Sequence, residues 1–102
     1  MNKVLILKND RIGDLFVSVP AINLILNKHK KDKIEIILSP INKAFSFLFN
    51  INFYIFNYRL SFFEKFKIYN LIKKNNYSDV YILSPKNFYF YLPVFFKKTK
   101  FH

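Results

Sequence analysis

Lys3-Val4-Leu5-Ile6-Leu7-Lys8, followed by Asn9-Asp10-Arg11-Ile12-Gly13-Asp14, decides the fold: four consecutive aliphatic residues between lysines, then a polar turn holding the only glycine of the chain. Neighbouring side chains of an extended segment point to opposite faces, so an unbroken aliphatic run needs apolar cover on both. That is the signature of a strand inside a parallel sheet. Beyond the turn, Leu15, Phe16, Val19, Ile22, Ile25 and Leu26 recur at helical spacing up to Lys28. Pro20 interrupts this stripe. Either a helix starting at Gly13 runs through it with a kink, or Ser18 caps a helix whose first positions tolerate proline.

The same alternation continues outward. Lys33-Ile34-Glu35-Ile36-Ile37-Leu38 repeats the strand pattern, and Ser39-Pro40 stops it. Residues 41–49 suit a short helix, and residues 53–57 a third strand. Ser61 stands three residues before Glu64, the capping-box spacing, ahead of an apolar stripe with Phe62, Phe63, Phe66, Tyr69, Leu71 and Ile72. Residues 79–84 read as a fourth strand ended by Pro85, and residues 87–96 as a last helix despite Pro93. Phe16, Phe66 and Tyr69 are expected in the core. The order βαβαβαβα predicts an α/β fold: one Rossmann-like domain over residues 1–102, a parallel sheet with helices on both faces and right-handed crossovers.

Composition narrows the function classes. Lysine and arginine outnumber the acids 17 to 6, a formal charge of +11. Such a balance suits nucleic acid, anionic lipid or an anionic substrate. The lysines are scattered, however, and only Arg11 and Arg59 offer a bidentate fork, so no specific nucleic-acid partner is expected. The abundance of Lys, Asn, Ile, Phe and Tyr is also what AT-rich codons produce irrespective of function. The absence of cysteine removes disulfides, thiolate nucleophiles and cysteine-ligated metals. His29 and His102 have no partner at ligand spacing and read as idle, so no metal or cofactor is expected. Residues 4–7 are too short for a signal-peptide core, and Asn50, Asn52, Asn57 and Arg59 break the apolar stretch 44–63. A cytoplasmic location follows as the expectation.

In open parallel sheets, ligands bind outside the carboxyl ends of the strands. The first such loop is 9–14. Gly13 suits a sharp turn or the close approach of a ligand. Asp14, at the helix start, read alone is a cap that complements the helix dipole. The loop carries neither a G-x-G-x-x-G pattern nor a Walker lysine, which argues against nucleotide binding there.

Val4-Leu5-Ile6-Leu7-Lys8, then Ile12-Gly13-Asp14-Leu15 and Pro20-Ala21-Ile22, resembles the opening of the ADP-heptose:lipopolysaccharide heptosyltransferases, glycosyltransferase family nine. Ile34 to Leu38 and Asn76-Tyr77-Ser78-Asp79-Val80-Tyr81-Ile82 fit the same family's N-terminal domain in order and spacing; only the first loop is specific. The resemblance implies the acceptor-side half of a GT-B glycosyltransferase. Asp14 then stands where the family has its general base on the acceptor hydroxyl. Gly13, Lys8, Asp10 and Arg11 are the candidate substrate-binding residues on their own chemistry: Lys8 and Arg11 favour the carboxylate form of Asp14 and attract phosphate-bearing substrates, and Asp10 either binds a sugar hydroxyl or stabilises the turn. Asp10 departs from the small hydroxyl residue common at its position, which leaves the acceptor class open. The implied partners are a nucleotide-sugar donor and a glycan or glycolipid acceptor, with peripheral contact at the inner membrane surface. The family's nucleotide-sugar domain has no counterpart in residues 1–102, so the expectation is a fragment, a degraded reading frame or a stand-alone half, inactive alone. The rival reading is a non-enzymatic basic module for nucleic acid or an anionic membrane surface.

Overall fold

The run Lys3–Lys8 (β1) is the middle strand of a five-stranded parallel sheet. β2 (Lys33–Leu38) and β3 (Asn52–Ile55) flank it on one side, β4 (Asp79–Ile82) and β5 (Lys100–Phe101) on the other. The structure, a computed structural model, describes residues 2–10, 12–40, 51–57, 59–84 and 86–102, with residues 12–16 described by backbone alone. The helix expected over 41–49, and Arg11, lie outside the described residues.

The aliphatic run of β1 is divided between two cores. Val4 and Ile6 pack with Ile36, Leu38 and with Ile22 and Ile25 of α1 (Ile12–Lys28). Leu5 and Leu7 pack with Ile68 and Ile72 of α2 (Phe62–Asn75) and with Tyr89 and Leu92 of α3 (Asn87–Phe95). Helices therefore cover both faces, as the sequence predicts. All four β1 side chains are fully buried. Each contributes roughly 1.5–3 kcal/mol of transfer free energy.

α1 is continuous from Ile12 through Pro20, so the helix does not start at a Ser18 cap; it accommodates the ring, which removes one backbone hydrogen bond. α2 opens with the expected capping box. Ser61 Oγ accepts from the Glu64 N–H at 3.2 Å, and Glu64 Oε1 accepts from the Ser61 N–H at 3.2 Å. Glu64 Oε2 also accepts from the Asn57 N–H at 2.7 Å, tying the exit of β3 to the start of α2. That use of Asn57 explains why β3 ends at Ile55 rather than at residue 57. Asn76 ends α2 in the left-handed region (φ 55°), which asparagine tolerates better than most residues.

Other expectations need correction. Phe66 is 59% exposed, because Ile68 and Ile72 take the inward side of α2 and Phe66 lies about 200° around the helix from Ile68. Tyr69 is half-buried, with its ring 5.8 Å from Phe95 and 5.1 Å from Phe96. Phe16 belongs to the residues described by backbone alone. β4 ends at Ile82, before Ser84, and the two-residue β5 was not anticipated. Among the described residues no helix is long and apolar enough to cross a membrane.

Candidate functional site

The chain runs outward from β1 to β2 and β3, then returns to place β4 on the other side of β1. This reversal makes the β1–β4 junction a topological switch point, the place where ligands of open parallel sheets bind: α1, which follows β1, and α3, which follows β4, pack on opposite faces of the sheet. The loop after β1 starts here.

The exits of β2, β3 and β4 all contribute to holding the first two residues of the loop. Lys8 turns its ammonium inward, donating to Asp10 Oδ2 at 2.9 Å and to the carbonyl of Leu83, just past β4, at 3.0 Å. Asn9 Nδ2 donates to the carbonyl of Asn57, beyond β3, at 3.0 Å. Tyr89 of α3 donates its hydroxyl proton to Asn9 Oδ1. Ser39, beyond β2, donates from Oγ to the Asp10 carbonyl at 2.9 Å. Lys8, Asn9, Asp10, Ser39 and Tyr89 are all buried. Each satisfied bond offsets the cost of removing a polar group from water, which is why so polar a cluster survives beside two apolar cores.

Electrostatics follow the burial. Burial pushes the Lys86 ammonium below its usual range; the attraction of Asp10 acts against this, and the repulsion of Lys8 adds to it. Burial also pushes the Tyr89 hydroxyl well above its ordinary value. It stays a neutral donor to Asn9. Ser84 Oγ, fully buried at the exit of β4, has no hydrogen-bond partner among the described residues.

The sequence-predicted residues therefore divide. Lys8 and Asp10 meet, but as an internal ion pair under the loop rather than as charges facing solvent. Gly13 and Asp14 lie in the first turn of α1, directly after this anchored segment. Arg11 is outside the described residues. Sequence reasoning missed Asn9, Ser39, Ser84, Lys86 and Tyr89. One signal was available for the serines: Ile37-Leu38-Ser39-Pro40 and Ile82-Leu83-Ser84-Pro85 repeat the same tetrapeptide after two strands. Tyr89 and Asn57 meet Asn9 only through the tertiary fold.

The histidines are not idle, and neither belongs to this site. His29 Nδ1 pairs with Asp32 Oδ2 and its Nε2 with the Tyr81 hydroxyl, each at 2.8 Å. His102 stacks on Tyr81, with centroids 4.4 Å apart, and its Nε2 meets Asp79 Oδ1 at 2.9 Å. Among the described residues no group of three or more His, Cys, Asp or Glu is placed to hold a metal ion.

Comparison with known proteins yields no match: no protein-family model, no curated protein and no solved structure matches the chain.

Proposed function

We propose that this domain is the acceptor-side half of a GT-B glycosyltransferase of heptosyltransferase type, and that loop 9–14 handles the acceptor of a lipopolysaccharide or other surface glycan. The observation that carries this reading is the anchoring of Asn9 and Asp10 at the β1–β4 switch point by groups from beyond β2, β3 and β4. An anchored loop delivers the next residues to a fixed place, and the next residues are Gly13 and Asp14. The likeness of Ile12-Gly13-Asp14-Leu15 to the family's first loop supplies the chemistry.

In that chemistry the Asp14 carboxylate removes the proton of the acceptor hydroxyl as its oxygen attacks the anomeric carbon. The bond to the nucleoside diphosphate breaks on the opposite side, with inversion. A positioned base of this kind contributes ~10²–10⁴ in rate. Lys8 and Asp10 set the loop from beneath, while Arg11 and Lys86 supply positive charge for a phosphate-bearing acceptor. The donor belongs to a second, nucleotide-sugar domain at the cytoplasmic side of the inner membrane, so residues 1–102 alone bind an acceptor and catalyse no transfer.

The test is an amide chemical-shift titration of the chain with a phosphorylated inner-core oligosaccharide and, separately, with ADP-sugars. The expected result is saturable shifts at residues 8–15 and 84–88 with the oligosaccharide and none with the ADP-sugars. Tight ADP-sugar binding, or turnover by this chain, contradicts the reading.

A further inference from the structure

α3 reads Asn87-Phe88-Tyr89-Phe90-Tyr91-Leu92-Pro93-Val94-Phe95 and carries no charged residue. Tyr89 and Leu92 point into the core, yet the opposite side is equally apolar: Phe90, Tyr91, Val94 and Phe95 are all exposed. A helix at a protein–water boundary normally turns a polar face outward, and one that is apolar all round belongs against an apolar medium. α2 extends the surface with Phe62, Phe63 and Phe66, between 59% and 80% exposed. Tyr69 joins the two helices by packing on Phe95 and Phe96. An open groove of about 430 Å³ lies along this junction, lined by Tyr69, Ile72, Phe95 and Phe96, with Lys73 and Lys98 among its walls. The other side of the sheet differs. On α1, among the residues whose side chains are described, Val17 and Leu24 are the large hydrophobics left exposed.

Charge selects the occupant. Lys65, Lys67, Lys73 and Lys74 of α2 and Lys97 and Lys98 after α3 are exposed, Lys73, Lys97 and Lys98 lining the groove itself, and none forms an ion pair among the described residues. The acids of the chain are few, and none of those with described side chains meets these six lysines. Of its six acids, Asp10, Asp32 and Asp79 pair with Lys8, His29 and His102; Glu35 accepts from Tyr54 and Tyr77, and Glu64 closes the α2 cap. The sixth, Asp14, lies on α1. A second copy of a chain with net charge +11 would present the same cations to this face and be repelled. A bilayer bearing anionic headgroups offers both an apolar interior and negative charge at its rim.

We propose that the outer face of α2 and α3 docks on an anionic lipid bilayer. Phe62, Phe63, Phe66, Phe90, Val94 and Phe95 enter the boundary between headgroups and acyl chains. The lysine stems lie along the apolar surface, with their ammonium groups at the level of the lipid phosphates. Tyr91 suits the same depth, having an apolar ring and a polar tip. The surface uses none of the residues of loop 9–14, so this proposal and the glycosyl-transfer reading can fail separately.

The experiment is co-sedimentation of the purified chain with vesicles of phosphatidylcholine alone and of phosphatidylcholine mixed with phosphatidylglycerol. Binding is expected to the mixed vesicles, to weaken as salt is raised, and to be at least ~tenfold weaker on phosphatidylcholine alone. Phe90→Gln with Phe95→Gln is expected to reduce partitioning by ~tenfold or more, with circular dichroism reporting an intact fold. Lys97→Glu with Lys98→Glu, both outside the helices, tests the charge separately should the aromatic variant fail to fold. It is expected to lower binding to the mixed vesicles by ~tenfold or more while leaving phosphatidylcholine unaffected. Equal binding to both vesicle types overturns the proposal. So does a lysine variant that binds like the parent chain, or a stable lipid-free dimer that ignores vesicles.

Discussion

The two ends of the sheet are both polar, but they use polarity differently. At the strand-exit end, Lys8 and Asp10 form a pair whose side chains are only 3% and 7% exposed, supported by Asn9, Ser39 and Tyr89. At the other end, His102 and Asp79 are 36% and 17% exposed, and His29–Asp32 closes a local turn after α1. A buried ion pair gains little over an apolar pair of the same volume, because desolvation consumes most of the Coulomb energy. Its geometry, by contrast, is strict. Lys8–Asp10 is the ion pair with both side chains buried among the described residues, and it lies under loop 9–14, whereas His102–Asp79 at the other end is partly exposed; the strand-exit end is therefore where a charge pair has to hold its position.

The sharpest way to break this comparison is to remove half of the buried pair. Lys8→Met removes the ammonium bonded to the buried Asp10 Oδ2 and is expected to cost up to ~3–5 kcal/mol, read from urea or thermal unfolding. The double variant Lys8→Met with Asp10→Leu should recover much of that loss in stability while failing to hold the loop. A small loss from Lys8→Met alone would show that the pair is no more constrained than His102–Asp79.

The next largest effect is on chemistry rather than stability. Asp14→Asn, in an enzyme carrying this domain together with a nucleotide-sugar domain, is expected to lower transfer ~10²-fold or more. Asp14 lies in the first turn of α1, where removing its charge loses at most ~1 kcal/mol of interaction with the helix dipole, so the melting temperature should move only slightly. Normal transfer by the variant reduces Asp14 to a cap.

A third expectation concerns the cap of α2, which binds the β3 exit near the same end. Ser61→Ala should cost about 1 kcal/mol by denaturation. Burial raises the Glu64 carboxyl, but hydrogen bonds from Asn57 and Ser61 outweigh it and hold the group below its ordinary value of 4.5. A carboxyl lowered in the folded state stabilises the fold above its unfolded pKa, and this stabilisation is lost as pH falls through the folded one. Stability should therefore drop on acidification below about pH 4.5, and less steeply in Glu64→Gln.

The smallest effect belongs to the exposed end. Partial burial raises the Asp79 carboxyl, but the bonds from His102 and Ser78 outweigh it, so the group sits below its ordinary 3.8. Its contribution has the same sign: present above that value and lost beneath it. His102→Ala is expected to change stability at neutral pH by less than ~1 kcal/mol, measured by thermal unfolding.

Strands such as Lys3–Lys8 and Lys33–Leu38 were legible because an aliphatic run between charges leaves little alternative, and α2 because Ser61 and Glu64 mark its start. β5 was not legible. Two residues carry no periodicity, and Lys100–Phe101 becomes a strand only because β4 has a free edge to pair with. Phe66 misled because α2 is apolar on more than one side, so the stripe alone does not say which side faces the sheet. Position 13–14 was visible in the site through its lone glycine and following acid. The anchoring beneath it was not, since Lys8 reaches Leu83 and Asn9 reaches Asn57 and Tyr89 across long stretches of chain.

The central claim is that the strand-exit loop 9–14 is the acceptor site, and an amide-resolved titration of the chain with a phosphorylated inner-core oligosaccharide tests it most directly. The account predicts saturable shifts concentrated at residues 8–15 and 84–88, with Asp79, His102 and the outer face of α3 unmoved. Shifts confined to the Asp79–His102 end or to the α2–α3 face, or no shifts at all, would contradict it.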